Sequence, residues 1–295
     1  MPTERSRRWL LGRGATLGAT GLAASVAGCG FFADGDPAYA DWLHRPGVLD
    51  DDPGHYTALH MRPAAIADHE SAFEDGTYRS VAAFADRWAL TGLSFPDVEE
   101  AITSRASTVV TGSFDAGTVV EPLDDEGFIV GGNRRGFEVL TGPDGERAVA
   151  VDDGAAVVAS GTEESTPFQV VHATVDAREG AVDRYHEIRD AMGALVDRLG
   201  AGTMTTVETF EPPLDPEPTE GRFERSSARG RAWTVRGDRT DASAVVVFRD
   251  ESSVNLDAVQ DWIAGPAAPF EVDEPEVSRS GRTAVVRAEL PTERI

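Results

Sequence analysis

Lysine is absent from this 295-residue chain, and cysteine occurs once, at Cys29. Without lysine there is no P-loop lysine for nucleotide phosphates and no kinase-type phosphate lysine. There is no Schiff-base amine and no S-x-x-K nucleophile site. A single cysteine leaves no disulfide within the chain, no zinc finger and no Cys-ligated iron–sulfur cluster. Basic residues are also scarce: 27, all arginine, against 51 acidic residues, for a net charge of −24. Nucleic-acid binding requires a basic surface that displaces phosphate counterions, so no nucleic-acid partner is expected. Side-chain amides are nearly absent as well, occurring only at Asn133, Asn255, Gln169 and Gln260. No N-x-[ST] acceptor and no G-x-S-x-G nucleophile elbow occurs.

What is present is a carboxylate-rich chain with 41% hydrophobic residues, enough for a packed core. In molar salt the Debye length falls to about 3 Å, so like charges repel weakly while carboxylates keep their water. Arginine in place of lysine fits the same adaptation. The pattern resembles that of proteins of extremely halophilic archaea.

The N-terminal segment carries the most specific motifs. Ser6-Arg7-Arg8-Trp9-Leu10-Leu11 has the polar residue, two arginines and following apolar pair of a twin-arginine export motif. The stretch from Leu10 to Gly28 is mildly apolar, rich in Gly, Ala and Thr, and interrupted by Arg13. It is too polar for a good membrane span. Val26-Ala27-Gly28-Cys29 then has the small residues of a lipobox, with valine where leucine is usual. Residues 1–29 therefore resemble haloarchaeal twin-arginine-exported lipoproteins of uncharacterised function. The resemblance implies a signal peptide over 1–28, the twin-arginine translocase as partner during export, and lipidation of Cys29. It implies attachment to the membrane through that lipid, on the extracellular face. A tether (29–37) follows.

Along the body, His55 to Met61 reads as a strand and Ala64 to Phe73 as a helix. A second helix is expected from Val81 to Leu90, and a short one from Phe95 through Ile102. Ser107 to Phe114 is β-branched and strand-like, and Asp115 is placed to cap a helix ending near Glu126. Strands over 128–130 and 137–140 enclose a turn at Gly131-Gly132-Asn133. Asp-Gly turns then predict an antiparallel meander over 136–160. Pro167 to Asp176 and Ala181 to Leu199 read as helices, the second strongly amphipathic, and 203–210 as a strand. A Pro-rich linker (211–220) separates an α+β domain (38–210) from a smaller one (221–295), whose pattern is strand, strand, helix, strand, strand. The fold class is α+β: antiparallel sheets with helices on one face. A strand–helix–strand–strand unit opening at Ser107 and again at Ser243 suggests duplication, each reaching Phe-Glu-Val (137–139, 270–272).

Nothing in the pattern marks catalytic, metal or cofactor residues, and none are expected. His55 and His60, an odd number apart on one strand, fall on opposite faces. His69 lacks a helical zinc partner, and His172 and His186 are isolated. Asp50-Asp51-Asp52 reads as a solvated turn. Trp88 and Trp262 read as core. The expectation is a non-enzymatic, membrane-anchored extracytoplasmic lipoprotein acting by protein interaction with an unknown envelope protein. The alternative is a small-ligand binder, with the ligand in a groove between the halves. A hydrolase is the third reading.

Overall fold

The computed structural model describes residues 37–49, 55–104, 106–210, 218, 221–265, 270 and 275–295. The expected export and lipidation residues Arg7, Arg8, Val26, Ala27, Gly28 and Cys29 lie outside the described residues, as do Asp50-Asp51-Asp52 and nearly all of the 211–220 linker.

A 3-10 turn at Ala38–Trp42 opens the described chain. There follow β1 (His55–Met61), α1 (Pro63–Ala67), α2 (Asp75–Ala82), β2 (Glu100–Ser104), β3 (Ser107–Thr111) and α3 (Ala116–Asp125). The central segment is β4 (Ile129–Arg134), β5 (Phe137–Thr141), β6 (Arg147–Asp152), β7 (Ala155–Ser160), α4 (Pro167–Arg178), α5 (Tyr185–Ile188) and α6 (Asp190–Leu199). The last is β8 (Met204–Phe210), β9 (Ser226–Arg236), β10 (Arg239–Phe248), α7 (Leu256–Ile263), β11 (Glu276–Ser280) and β12 (Thr283–Pro291).

The twelve strands among the described residues form one open sheet, in the order β11-β12-β10-β9-β8-β1-β2-β3-β7-β6-β5-β4. Every pairing is antiparallel. The α+β class with antiparallel pairing is therefore as expected. The sheet runs unbroken from segment 38–210 into segment 221–295. β9 pairs with β8 from Met204↔Trp233 to Thr209↔Ala228, and Asp34–Ile295 is one compact unit.

Helices cover both faces, where one was expected. On one face α4 and α6 lie over a cluster with Val109, Val139, Ala150, Val157, Val207, Ala232 and Val245. On the other, α1 and α3 cover Val110, Leu140, Val149 and Val158, and α7 covers Ala244, Val246, Ala284 and Val286. Adjacent residues such as Val109 and Val110 fall in opposite clusters because strand side chains alternate. A sheet buried on both faces gives continuous apolar runs, such as Val245-Val246-Val247-Phe248, all buried.

Local chemistry sets several boundaries. The Asp115 carboxylate accepts from the Thr118 backbone N–H at 3.1 Å, capping α3. Thr166 and Gln169 form a capping box at the start of α4. The expected Asp-Gly hairpin joins β6 to β7, with Asp152 opposite Ala155 and Gly154 at φ 78°.

Three expectations are corrected. Phe95 to Ile102 is not a helix: Phe95–Asp97 is one 3-10 turn, and Glu100–Ser104 becomes β2 between β1 and β3. The turn between β4 and β5 falls at Arg135-Gly136, not Gly131–Asn133, which continue the strand. The single helix over 181–199 divides at Arg189 (φ −117°, ψ 98°) into α5 and α6. Tyr185 anchors the break, donating its backbone N–H to the Leu43 carbonyl and meeting the Thr209 hydroxyl at 2.7 Å.

The two proposed repeat units share an outward path. β3 leaves through α3 to edge strand β4, and β10 leaves through α7 to edge strand β11. The first returns through four strands and the second through two. Phe270 is buried but lies in no strand, and Glu271 and Val272 lie outside the described residues.

Candidate functional site

An open sheet has two edges, each with a row of unpaired backbone groups that invites another strand. β11 is guarded: it is short, polar and charged, reading Glu-Val-Ser-Arg-Ser. β4 is different. Ile129 is 68% exposed and Val130 57%, and both precede two glycines. Neighbouring strand residues point to opposite faces, so the first residues of this edge are apolar on both sides and covered on neither. The register shifts between Val130 and Gly132, a bulge at Gly131, where a Cβ would come within 3.6 Å of the Phe168 ring. Phe168, on α4, is itself 36% exposed. Ile129, Val130 and Phe168 are three of the four large apolar side chains exposed among the described residues.

The far end of β4 is fastened by charge. Arg134 donates from Nε to Asp176 Oδ1 of α4 at 2.8 Å and pairs through a second nitrogen with Oδ2. Arg135 reaches the same carboxylate at 3.5 Å. Arg135 sits at φ 56° and Gly136 at φ 99°, a two-residue hairpin turn with positive φ at both centres. Asn133 braces it by donating to the Gly136 carbonyl and accepting from its N–H. The Asp176 contact raises the Arg134 guanidinium's affinity for its proton. Beside it, the His172 ring lies 4.0 Å from the Phe168 ring. Burial, and then Arg134, lower the His172 pKa, against the opposite pull of Asp176. His172 is thus held towards its neutral form under the edge.

The other histidines serve the interior. His60 is buried, stacked on Tyr39 at 4.7 Å, with Nε2 3.6 Å from Glu100 Oε1. That contact, long for a hydrogen bond, holds the Glu100 carboxyl below its ordinary range; burial opposes it and Arg62 adds to it. His55 points to the opposite face, as its spacing implied, where it meets Glu208 at 2.6 Å. Burial alone would raise the Glu208 carboxyl, but Arg229 and His55 lower it. His186 is buried, although it lies off the apolar stripe expected for its helix. Among the described residues, no three His, Cys, Asp or Glu side chains are placed to hold a metal ion.

The four body tryptophans are structural. Trp42 packs edge-on to Phe137, Trp88 stacks on Phe95, Trp262 meets Phe223, and Trp233 borders the α7 cluster. Where 38–210 meets 221–295 there is a cavity of about 370 Å³, with Arg189, Arg249, Arg282 and one aromatic residue, Phe210, in its lining. A shallower groove of about 650 Å³ at the start of α4 is lined by Glu146, Glu163, Glu164 and Thr166. Sequence reasoning singled out neither the β4 edge nor the arginine cavity. No described helix is long and apolar enough to cross a membrane.

No family model and no curated protein matches the chain. Among solved structures, crystal form III of TP0453 is similar with a TM-score of 0.46 at 10% identity, over 85% of this chain and 95% of that one. Crystal form I of TP0453 gives 0.46 at 11% identity, over 84% and 93%. The menaquinone-specific isochorismate synthase MenF from Escherichia coli gives a TM-score of 0.14 at 10% identity, over 86% and 67%.

Proposed function

We propose that this chain is an extracytoplasmic lipoprotein of a halophile, held at the cell surface through Cys29, that acts without catalysis by adding a partner's strand to β4. The observation that carries the reading is the contrast between the sheet's two edges. β11 has the polar, charged character that discourages pairing, while β4 exposes Ile129 and Val130 on opposite faces beside Phe168. The occupant is an extended, apolar segment of an envelope protein. Its backbone would continue the sheet, and its side chains would cover both faces of the edge.

Two side chains this exposed add about 2–4 kcal/mol when covered, roughly 30- to 1,000-fold in affinity. The test is affinity capture of the membrane-anchored protein in high salt, comparing the native chain with Ile129→Lys/Val130→Lys. The charges block edge pairing without altering the β5 side of β4. A partner held by the native chain and lost from the double variant supports the reading. A partner retained equally by both would overturn it.

A further inference from the structure

The cavity of about 370 Å³ at the junction of β8, β9 and α6 is a concentration of positive charge in a strongly acidic protein. Its lining includes Arg189, Arg249 and Arg282, and a single carboxylate, Asp190. Three distant parts of the chain converge there. Arg189 precedes α6, Arg249 follows β10, and Arg282 precedes β12. The ends of β10 and β12 are locked together, since the Phe248 backbone N–H donates to the Arg282 carbonyl at 2.9 Å. Arg249 is tied in the same way, its N–H donating to the Arg225 carbonyl at 2.9 Å.

The pairing of the nearby arginines is uneven. Arg225 is neutralised by Asp250 at 2.8 Å, a carboxyl lowered to about 2 by the hydroxyls of Ser252 and Ser253 and by Arg225 itself. Arg229 pairs with Glu208. Among the described residues Arg249 and Arg282 form no ion pair, although acidic residues outnumber basic ones nearly two to one across the chain. Arg249 is exposed and Arg282 half-buried, so both guanidiniums face solvent and are open to an anion from solution. A second feature points the same way. The ten-residue helix α6 starts at this cavity, and its N-cap residue, Arg189, provides no side-chain acceptor. The positive end of the helix dipole therefore adds to the guanidiniums, offset in part by the Asp190 carboxylate in the first turn.

We infer that this cavity is a binding site for a phosphate ester. Guanidinium forks match the oxygens of phosphate in pairs and stay charged at any physiological pH. The Ser226 and Ser227 hydroxyls are engaged with the Phe223 and Val247 carbonyls, so the donors left for the anion are guanidinium and amide groups. Ile188, half exposed, and Phe210 give one wall an apolar surface for the organic part of the ester. The volume falls within the ~300–1,000 Å³ of small-ligand sites. The ester is either a soluble molecule or a lipid headgroup. This site stands apart from the β4 edge, so neither reading depends on the other.

The test uses the full chain carrying Cys29→Ser, so that no lipid anchor contributes. Titration with glycerol 3-phosphate by calorimetry, at fixed ionic strength, is expected to show one saturable site. Arg249→Gln and Arg282→Gln should each weaken it by about tenfold or more. Arg147→Gln, on the far half of the sheet, should leave it unchanged. Arg249→Lys keeps the charge and loses the fork, so it should fall between native and Gln; it also serves if the Gln variants fold poorly. A second arm measures co-sedimentation with phosphatidylcholine vesicles, with and without phosphatidic acid. Arginine-dependent binding to the phosphatidic acid vesicles assigns a lipid headgroup, and saturation by glycerol 3-phosphate alone assigns a soluble ester. Saturation of neither probe, or binding unaffected by the Arg249 and Arg282 variants, overturns the site.

Discussion

Replacing Asp176 with asparagine keeps the side chain's shape and removes the charge that holds the end of the edge strand. Asp176 is nearly buried, and it receives Arg134 through two nitrogens and Arg135 through one. Asparagine offers one oxygen to Arg134, but its NH₂ group then faces a guanidinium N–H, donor against donor. Hydrogen bonds to charged groups contribute about 1.5–3 kcal/mol, and breaking a fully buried pair costs about 3–5 kcal/mol. Arg134 and Arg135 are 36% and 52% exposed, which places the loss at the lower end, about 1–2 kcal/mol. Urea unfolding of Asp176→Asn, Arg134→Gln and the double variant gives the coupling directly, expected at about 1–2 kcal/mol. Hydrogen exchange adds the location: amides at the Arg135-Gly136 turn should lose protection before those of β6. Because the carboxylate is buried, the coupling should survive molar salt, unlike that of an exposed pair. A coupling below about 0.3 kcal/mol, within the error of additivity, would show that β4 is held by its ladder with β5 alone.

Three further outcomes are expected. A Cβ at Gly230 would lie 2.5 Å from Leu199 Cδ1 and 2.7 Å from the Thr206 carbonyl, so Gly230→Ala should cost about 1–3 kcal/mol; an unchanged melting temperature would refute the close approach of β9 to α6. Folding lowers the His172 pKa from 6.5, so the unfolded chain binds more protons below that value. Stability should therefore fall as pH drops through 6.5 and level off once pH passes below the folded-state pKa; His172→Gln should remove that step, and a melting curve against pH that keeps it would assign it elsewhere. The proposed salt adaptation predicts a falling melting temperature as salt drops below about 1 M. A melting temperature independent of salt would count against it.

Local chemistry was legible and global placement was not. β1 was readable because its pattern is continuous, α3 because Asp115 caps it, and the β6–β7 hairpin because Asp153-Gly154 suits only a tight turn. Each of these signals lies within a few residues of its effect. β2 was hidden because Glu100-Ala101-Ile102-Thr103-Ser104 has no signal of its own; it becomes a strand by pairing with β1 and β3 on either side. The break at Arg189 was hidden because the apolar spacing runs straight through it, while the cause, Tyr185 held by Leu43 and Thr209, is tertiary. Both candidate sites are hidden in the same way. Ile129 and Val130 look like core-strand residues until the topology makes β4 the last strand. Arg189, Arg249 and Arg282 are far apart in sequence and meet only because α6 starts beside the sheet where β10 ends and β12 begins.

The acidic surface and the exposed edge constrain each other. At low salt, two copies meeting at β4 would bring together two highly negative molecules, and repulsion would oppose edge-to-edge pairing. In molar salt that protection is screened to about 3 Å, and only local features remain to keep β4 from pairing with itself. The Gly131 bulge is one, because it kinks the edge after its apolar residues. The Arg134–Asp176–Arg135 cluster is another, because it fixes the opposite end against α4. Pairing is therefore open only over a short apolar stretch at the start of β4. A partner that supplies a short, apolar, weakly charged strand fits that opening. A second copy of β4 fits it poorly, because the bulge would have to be matched in both strands at once.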